Sequence, residues 1–229
     1  MNGINFIKQN GGLGRTLAGV THTSGLIIYG EKGFSTIAIA SVEHLEQEGV
    51  TSTSNPVLHY HVSEFFRINE GAKLYIQSVA TSDGNYTEAK VMQNAANGSI
   101  RQFAICDFKT AIGSLSTSAA KLQVIAAEFW DKNIPASFFL SMKVTSADIA
   151  TLPDLHTLDS ENVSVVIGQD GGGRGSYLEQ RMSLPSISCI GSVLGAASKA
   201  NVHESIAWVE KQNLVTSFPY DKSITEGTY

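Results

Sequence analysis

Charged side chains make up only 16% of this 229-residue chain, well below the roughly 25% of an ordinary soluble domain. Its 16 Lys and Arg against 21 Asp and Glu leave a net charge of −5. No stretch gathers the positive ones, which argues against the basic stripe a nucleic-acid binder uses to neutralise phosphates. Cysteine is equally sparse. Cys106 and Cys189 each sit in an apolar stretch without a metal-ligand neighbour in sequence, so they read as buried reduced thiols and not as a disulfide framework. No apolar run approaches the ~18 residues of a membrane span, so direct membrane insertion is not expected. The opening MNGINFIKQNGG lacks the apolar centre of a signal peptide. The chain reads as a soluble protein made in the cytoplasm.

Hydrophobic residues reach 42%, ordinary for a globular chain and enough, at this length, for a substantial core. Ser, Thr, Asn and Gly replace the missing charge. Interface cores are also depleted in charge, so such a surface suits contact with further copies of itself; a mildly polar monomer is the alternative.

The organising stretch is NPVLHYHVSEFFRINEGAKLYIQSVA, residues 55–80. Pro56 suits the first position of a helix. Leu58, Val62, Phe65 and Phe66 recur at three- and four-residue steps, and Asn69-Glu70-Gly71 supplies a stop. Residues 73–79 then alternate, with Leu74, Ile76 and Ser78 on one side and Tyr75, Gln77 and Val79 on the other. A helix feeding an apolar strand is half of a βαβ unit.

Around it, SGLIIY (24–29) is a continuous apolar strand and residues 34–40 a second, short one. Ser41 caps a helix over 42–48 that Gly49 ends. Helical spacing returns over 86–96, with Val91, Met92 and Ala95. It also marks 118–130, with Leu122, Ile125, Ala126 and Phe129 on one face, and then 191–199 and 202–211. Strands are expected at 101–108, 136–144 and, most clearly, 162–168, with a short turn or helix around 147–151. Strands alternating with amphipathic helices predict an α/β three-layer sandwich with a largely parallel central sheet, flanking helices and extended terminal arms. Residues 1–23 read as an arm with a glycine-rich hinge, 24–212 as the core domain, and 213–229 as a tail without helix or strand signal. Ile4, Phe6 and Ile7 form a β-favourable patch that pairs with its own sheet edge or adds a strand to a neighbour.

No catalytic, cofactor-binding or metal-binding constellation emerges. His59 and His61 point to different sides of a helix. His61–Glu64 and His44–Glu48 read as solvated helix faces, and the serines at 114–118 as helix caps. The one tempting site is VSVVIGQDGGGRGSY, residues 163–177, where a strand, a glycine turn and a helix start could cradle a phosphate. Gly168 and Gly173 have P-loop spacing, yet Arg174 and Gly175 stand where a lysine and a hydroxyl residue belong. The dinucleotide pattern also fails, because Gly171 and Gly173 put Ser176 at its last glycine. A nucleotide- or phosphate-binding loop of Gly168, Gly171, Gly172, Gly173 and Arg174 is the alternative reading; a close-packed turn is the other.

Residues 25–80, GLIIYGEKGFSTIAIASVEHLEQEGVTSTSNPVLHYHVSEFFRINEGAKLYIQSVA, resemble the front of a contractile tail-sheath protein of bacteriophages and prophages. The likeness lies in a strand ending in a glycine turn, the S-x-x-x-L-x-x-x-G helix from Ser41 to Gly49, the aromatic helix and the strand after it. Residues 163–175 and the small-residue helix ISCIGSVLGAASKANVHESIAWV are similar to sheath-like proteins of contractile injection systems. The resemblance spans most of 24–211. It implies a structural subunit with no catalytic activity and no cofactor, assembling helically with copies of itself around an inner tail-tube protein, with a baseplate as a further partner. The lattice would contract to drive the tube through a membrane. Its place would be a virion tail or the cytoplasm of a prophage-carrying bacterium. Sheath proteins usually continue past the point where this sequence stops, which implies a fragment, a processed form or a short variant. The resemblance also implies that arm residues donate strands between copies, with Val215, Phe218 and Tyr220 of the tail joining Ile4, Phe6 and Ile7.

Overall fold

The computed structural model describes residues 22–145, 148, 152–154, 157–170, 173–184, 187–200 and 217–218. The central sheet has the strand order β2-β3-β1-β4-β5-β6. Its strands are β1 (Ser24–Tyr29), β2 (Phe34–Ile39), β3 (Leu74–Val79), β4 (Gln102–Ala111), β5 (Ser137–Lys143) and β6 (Val163–Val165). All neighbours run parallel except β2, which pairs antiparallel with β3 at one edge. β1 lies between β3 and β4 and is buried at all six positions, which is why its sequence is continuously apolar.

Two helical layers cover the sheet. On one face lie α1 (Val42–Gln47), α2 (Pro56–Ile68), α5 (Gly173–Met182) and α6 (Ile190–Lys199), packed on Leu26, Ile28, Leu74, Ile76 and Cys106. On the other lie α3 (Glu88–Ala95) and α4 (Leu115–Asp131), packed on Ile27, Tyr29, Phe103, Ile105, Phe138 and Leu140. Adjacent strand residues thus serve opposite cores, as a pleated sheet requires. The α/β sandwich expected from the sequence is the observed architecture. Gly49 and Gly71 do end α1 and α2, with φ of +85° and +76°.

α2 is buried on nearly every side, because α6, which also rests on β4 and β5, packs closely along its flank. That is possible only through close backbone approach. A Cβ added at Gly191 would lie 2.5 Å from the His61 carbonyl oxygen, and one at Gly195 2.9 Å from that of Phe65.

Several local expectations are corrected by packing. The 162–168 strand is only three residues long: β6 borders the sheet, and its pairing with β5 stops at Val165. On α3, Ala89 and Met92 point inward while Val91 and Ala95 are exposed. Ser114 makes no side-chain cap bond, and α4 already begins at Leu115. Ser118 therefore lies inside the helix, buried against the Tyr86 hydroxyl at 3.0 Å. His61 and Glu64 are buried, not solvated, since α2 has no open face there. The tail also contributes a strand: β8 (Ser217–Phe218) pairs antiparallel with β7 (Gln169–Asp170). The helix expected at 202–211 lies outside the described residues, as does most of the short turn around 147–151.

Gly191→Ala is expected to lower stability by about 1–3 kcal/mol through overpacking against α2, despite the ~1 kcal/mol that helix propensity alone would add. Urea unfolding of both proteins checks it; a neutral or stabilising result would disprove the close-packing account.

Candidate functional site

The parallel strands change direction of succession at β1, which has β3 on one side and β4 on the other. In open α/β sheets ligands bind in the crevice beyond the carboxyl ends of the strands at such a point. Here the chain fills that crevice itself. Glu31, just past β1, is buried, and its two carboxylate oxygens accept from the Val57 and Leu58 amides at 2.6 and 2.9 Å. Those are the first free N–H groups of α2, which a phosphate would otherwise use. Burial pushes the Glu31 carboxyl above its ordinary value, while these two amides and the Lys109 charge pull it back. The Lys109 stem passes so close to Gly30 that any side chain there would collide with it, and its ammonium rests 4.9 Å from the centre of the Phe108 ring. The Lys32 carbonyl accepts from Asn55 at 2.7 Å and from Ser78 at 2.6 Å. On the β4 side, fully buried Asp107 accepts from the Thr110 amide at 3.1 Å and faces the Tyr86 hydroxyl at 3.4 Å. Burial pushes the Tyr86 phenol up to about 12. These groups satisfy one another.

The glycine segment is also partly committed to structure. The Gly168 carbonyl accepts from the Cys189 amide at 2.9 Å, and the Asp170 amide donates to the Ile187 carbonyl at 3.0 Å. Gly173 opens α5, and Gly171 and Gly172 lie outside the described residues. Asp170 is buried, and its side chain lies against Gly175 in the first turn of α5, where a Cβ would approach it to 2.8 Å. The Tyr60 hydroxyl donates to the same carboxylate. A carboxylate at this helix start repels a phosphate, so the geometry opposes the phosphate-loop reading. Arg174 is exposed and turns toward a different feature.

That feature is a groove of about 800 Å³ between α2 and α5. Pro56, His59, Tyr60 and Ser63 line it from α2, and Arg174, Tyr177, Leu178 and Arg181 from α5. Both sets follow the i, i+3, i+4, i+7 spacing of one helix face. Tyr60 and Leu178 form the floor, and Tyr177 stands 61% exposed in the wall. Arg181 donates to the Ser52 carbonyl at 3.3 Å, and His59 pairs with Glu46 at 2.9 Å. Among the described residues the lining holds two guanidinium groups and an imidazole but no carboxylate. Sequence reading singled out Arg174 for a phosphate and missed the stripe it belongs to, although its spacing stands in the sequence.

His61 meets Cys106 beneath this layer, Nε2 to Sγ 3.5 Å apart. Burial alone holds His61 down at about 3, and the same burial pushes the Cys106 thiol up. Both groups stay neutral, so the pair is not an activated nucleophile. Cys189 is likewise a buried free thiol. Among the described residues no three His, Cys, Asp or Glu side chains gather to hold a metal, and no helix is long and apolar enough to cross a membrane. Of the arm residues, Ile4, Phe6, Ile7, Val215 and Tyr220 lie outside the described residues, whereas the Phe218 backbone pairs with Gln169.

His61 makes stability fall with acid. The unfolded chain takes up this proton near pH 6.5, the folded one only near 3. Its contribution is therefore complete above about pH 6.5 and is lost as the pH drops toward 3, at no more than about 1.4 kcal/mol per pH unit. Urea unfolding between pH 7 and 4 is expected to show a shallower decline for His61→Met than for the wild type; parallel curves would refute this.

Comparison with curated proteins finds no match. A family comparison does: residues 1–228 match DUF2586, N-terminal domain. The chain, matched along almost its whole length, belongs to the DUF2586 family through that N-terminal domain.

Proposed function

We propose that this chain is a structural subunit of a contractile, phage-tail-like sheath, which stacks with its own copies around an inner tube and carries out no reaction. The observation that carries this reading is the β7–β8 ladder. A segment from the tail docks on the body by adding a strand, a contact that forms equally well within one copy or between neighbours. Such exchange lets subunits shift without separating. The strand-end crevice adds support, since Glu31 and Lys109 occupy the place where an open α/β sheet would take a ligand. A rigid sandwich with weakly charged polar faces suits a body that repacks between two sets of contacts. The inner tail-tube protein and a baseplate are the further partners of this reading, and a virion tail or a prophage-carrying cell its location.

The purified full-length chain is expected to form rings, tubes or concentration-dependent oligomers in negative-stain images and sedimentation. A strictly monomeric protein at high concentration would overturn the reading. Removing residues 1–9 should leave the fold intact and weaken self-association, because the segment precedes the core across a glycine hinge; equal assembly of the truncated chain would remove the arm from the account.

One observation favours a second reading, phosphate binding at residues 168–176: α5 opens at Gly173, shortly after β7 ends at Asp170. Thermal shift with nucleotides and sugar phosphates separates the two. No shift is expected; one that disappears in Arg174→Ala would favour the loop.

A further inference from the structure

Most large hydrophobic side chains in the described residues are covered, and the four that stay exposed fall in two places. Val91, Val124 and Trp130 lie on the outer side of α3 and α4, and Tyr177 stands in the groove between α2 and α5. The outward side of α4 carries Ala120, Val124, Ala127 and Trp130, all exposed and at steps of four, three and three, among the polar residues Lys121, Gln123 and Glu128. The helix thus bears apolar side chains outward as well as on the inner face packed on the sheet. A flanking helix that merely faced water would be polar on its outer side. Lys90 on α3 pairs with Glu128 on α4 at 2.6 Å across the ridge.

Ridge and groove each present an exposed aromatic side chain next to a charge, of opposite sign in the two places. Trp130, 69% exposed, projects from the ridge beside exposed Asp131, which has no cationic partner among the described residues. Tyr177 projects into the groove beside exposed Arg174, which has no acidic partner among them. Trp, Tyr and Arg are the side chains that most often dominate binding at protein interfaces. The two features lie on opposite layers of one sandwich, so a single copy cannot bring its own ridge to its own groove.

We infer that the α3–α4 ridge of one copy seats in the α2–α5 groove of a second copy, Trp130 packing against Tyr177 and Asp131 pairing with Arg174. A guanidinium over the indole face adds a cation–π contact. The contact is head-to-tail, so repeating it extends an open helical stack unless the rotation closes it. The inference rests on the reading that the chain self-assembles, and it names the surfaces that do so apart from the arms.

The test is sedimentation velocity on the full-length chain, on Trp130→Ala, and on the double variant Arg174→Glu with Tyr177→Ala. All three positions are exposed, so both variants are expected to keep the wild-type circular dichroism spectrum. Each should weaken self-association about tenfold or more, the loss that follows truncation of a dominant interface side chain. Mixed in equal amounts, the variants keep one intact groove and one intact ridge. They should form a one-to-one dimer and nothing longer. Variants that associate as the wild type does would overturn the contact, give the groove to another occupant and leave the assembly reading standing. A mixture without the dimer would overturn the head-to-tail arrangement. A monomeric wild type would overturn the contact and the assembly reading together.

Discussion

The carboxylate of Glu31 leaves the end of the central strand and closes on the first two free amides of α2. Through it, the end of β1 fixes where the longest helix of its layer begins. The next residue extends the tie, since the Lys32 carbonyl gathers Asn55 at the start of α2 and Ser78 near the end of β3. One short turn thereby locks two neighbouring strands and the helix that connects them. α6 and α5 are placed in turn, because α6 lies on α2 through Gly191 and Gly195, and α5 flanks the groove on its other side. If that carboxylate were removed, two buried amides would lose their acceptors, a penalty of about 1–3 kcal/mol.

The same closure shapes what the molecule can do. An open α/β sheet is ordinarily available to ligands where its strand order reverses. In this chain those helix-start amides are taken by its own carboxylate, and buried Asp170 lies against the start of α5. Buried Asp107 and Asn55 both face partners within the fold. The features left outward are a groove wall that carries Arg174, Arg181 and His59, and a ridge that carries Val124 and Trp130.

Much of the fold was legible because its signals are local. The unbroken apolar run of β1, Pro56 at a helix start, Ser41 as a cap with the His44 amide at 3.2 Å, and the alternation of β3 follow from residue type and spacing. The readings that failed depend on partners distant in sequence. His61 and Glu64 look like a polar pair on a helix surface until α6 covers them, and nothing near residue 61 announces that Gly191 will. Val91 passes for a core residue by spacing, yet the sheet meets the face that carries Ala89 and Met92. Ser217–Phe218 has no strand pattern of its own, because a two-residue ladder is decided by its partner. The candidate groove was half legible: the stripe of Arg174, Tyr177, Leu178 and Arg181 is periodic, but the helix facing it is more than a hundred residues upstream.

The sheet margins carry a consequence of their own. At one margin β2 runs against its neighbour with a register break between Phe34 and Ile37, and at the other β6 spans three residues. Irregular or very short borders make poor templates for further backbone pairing. Crowded molecules of this chain are thereby discouraged from fusing their central sheets into fibrous, amyloid-like aggregates.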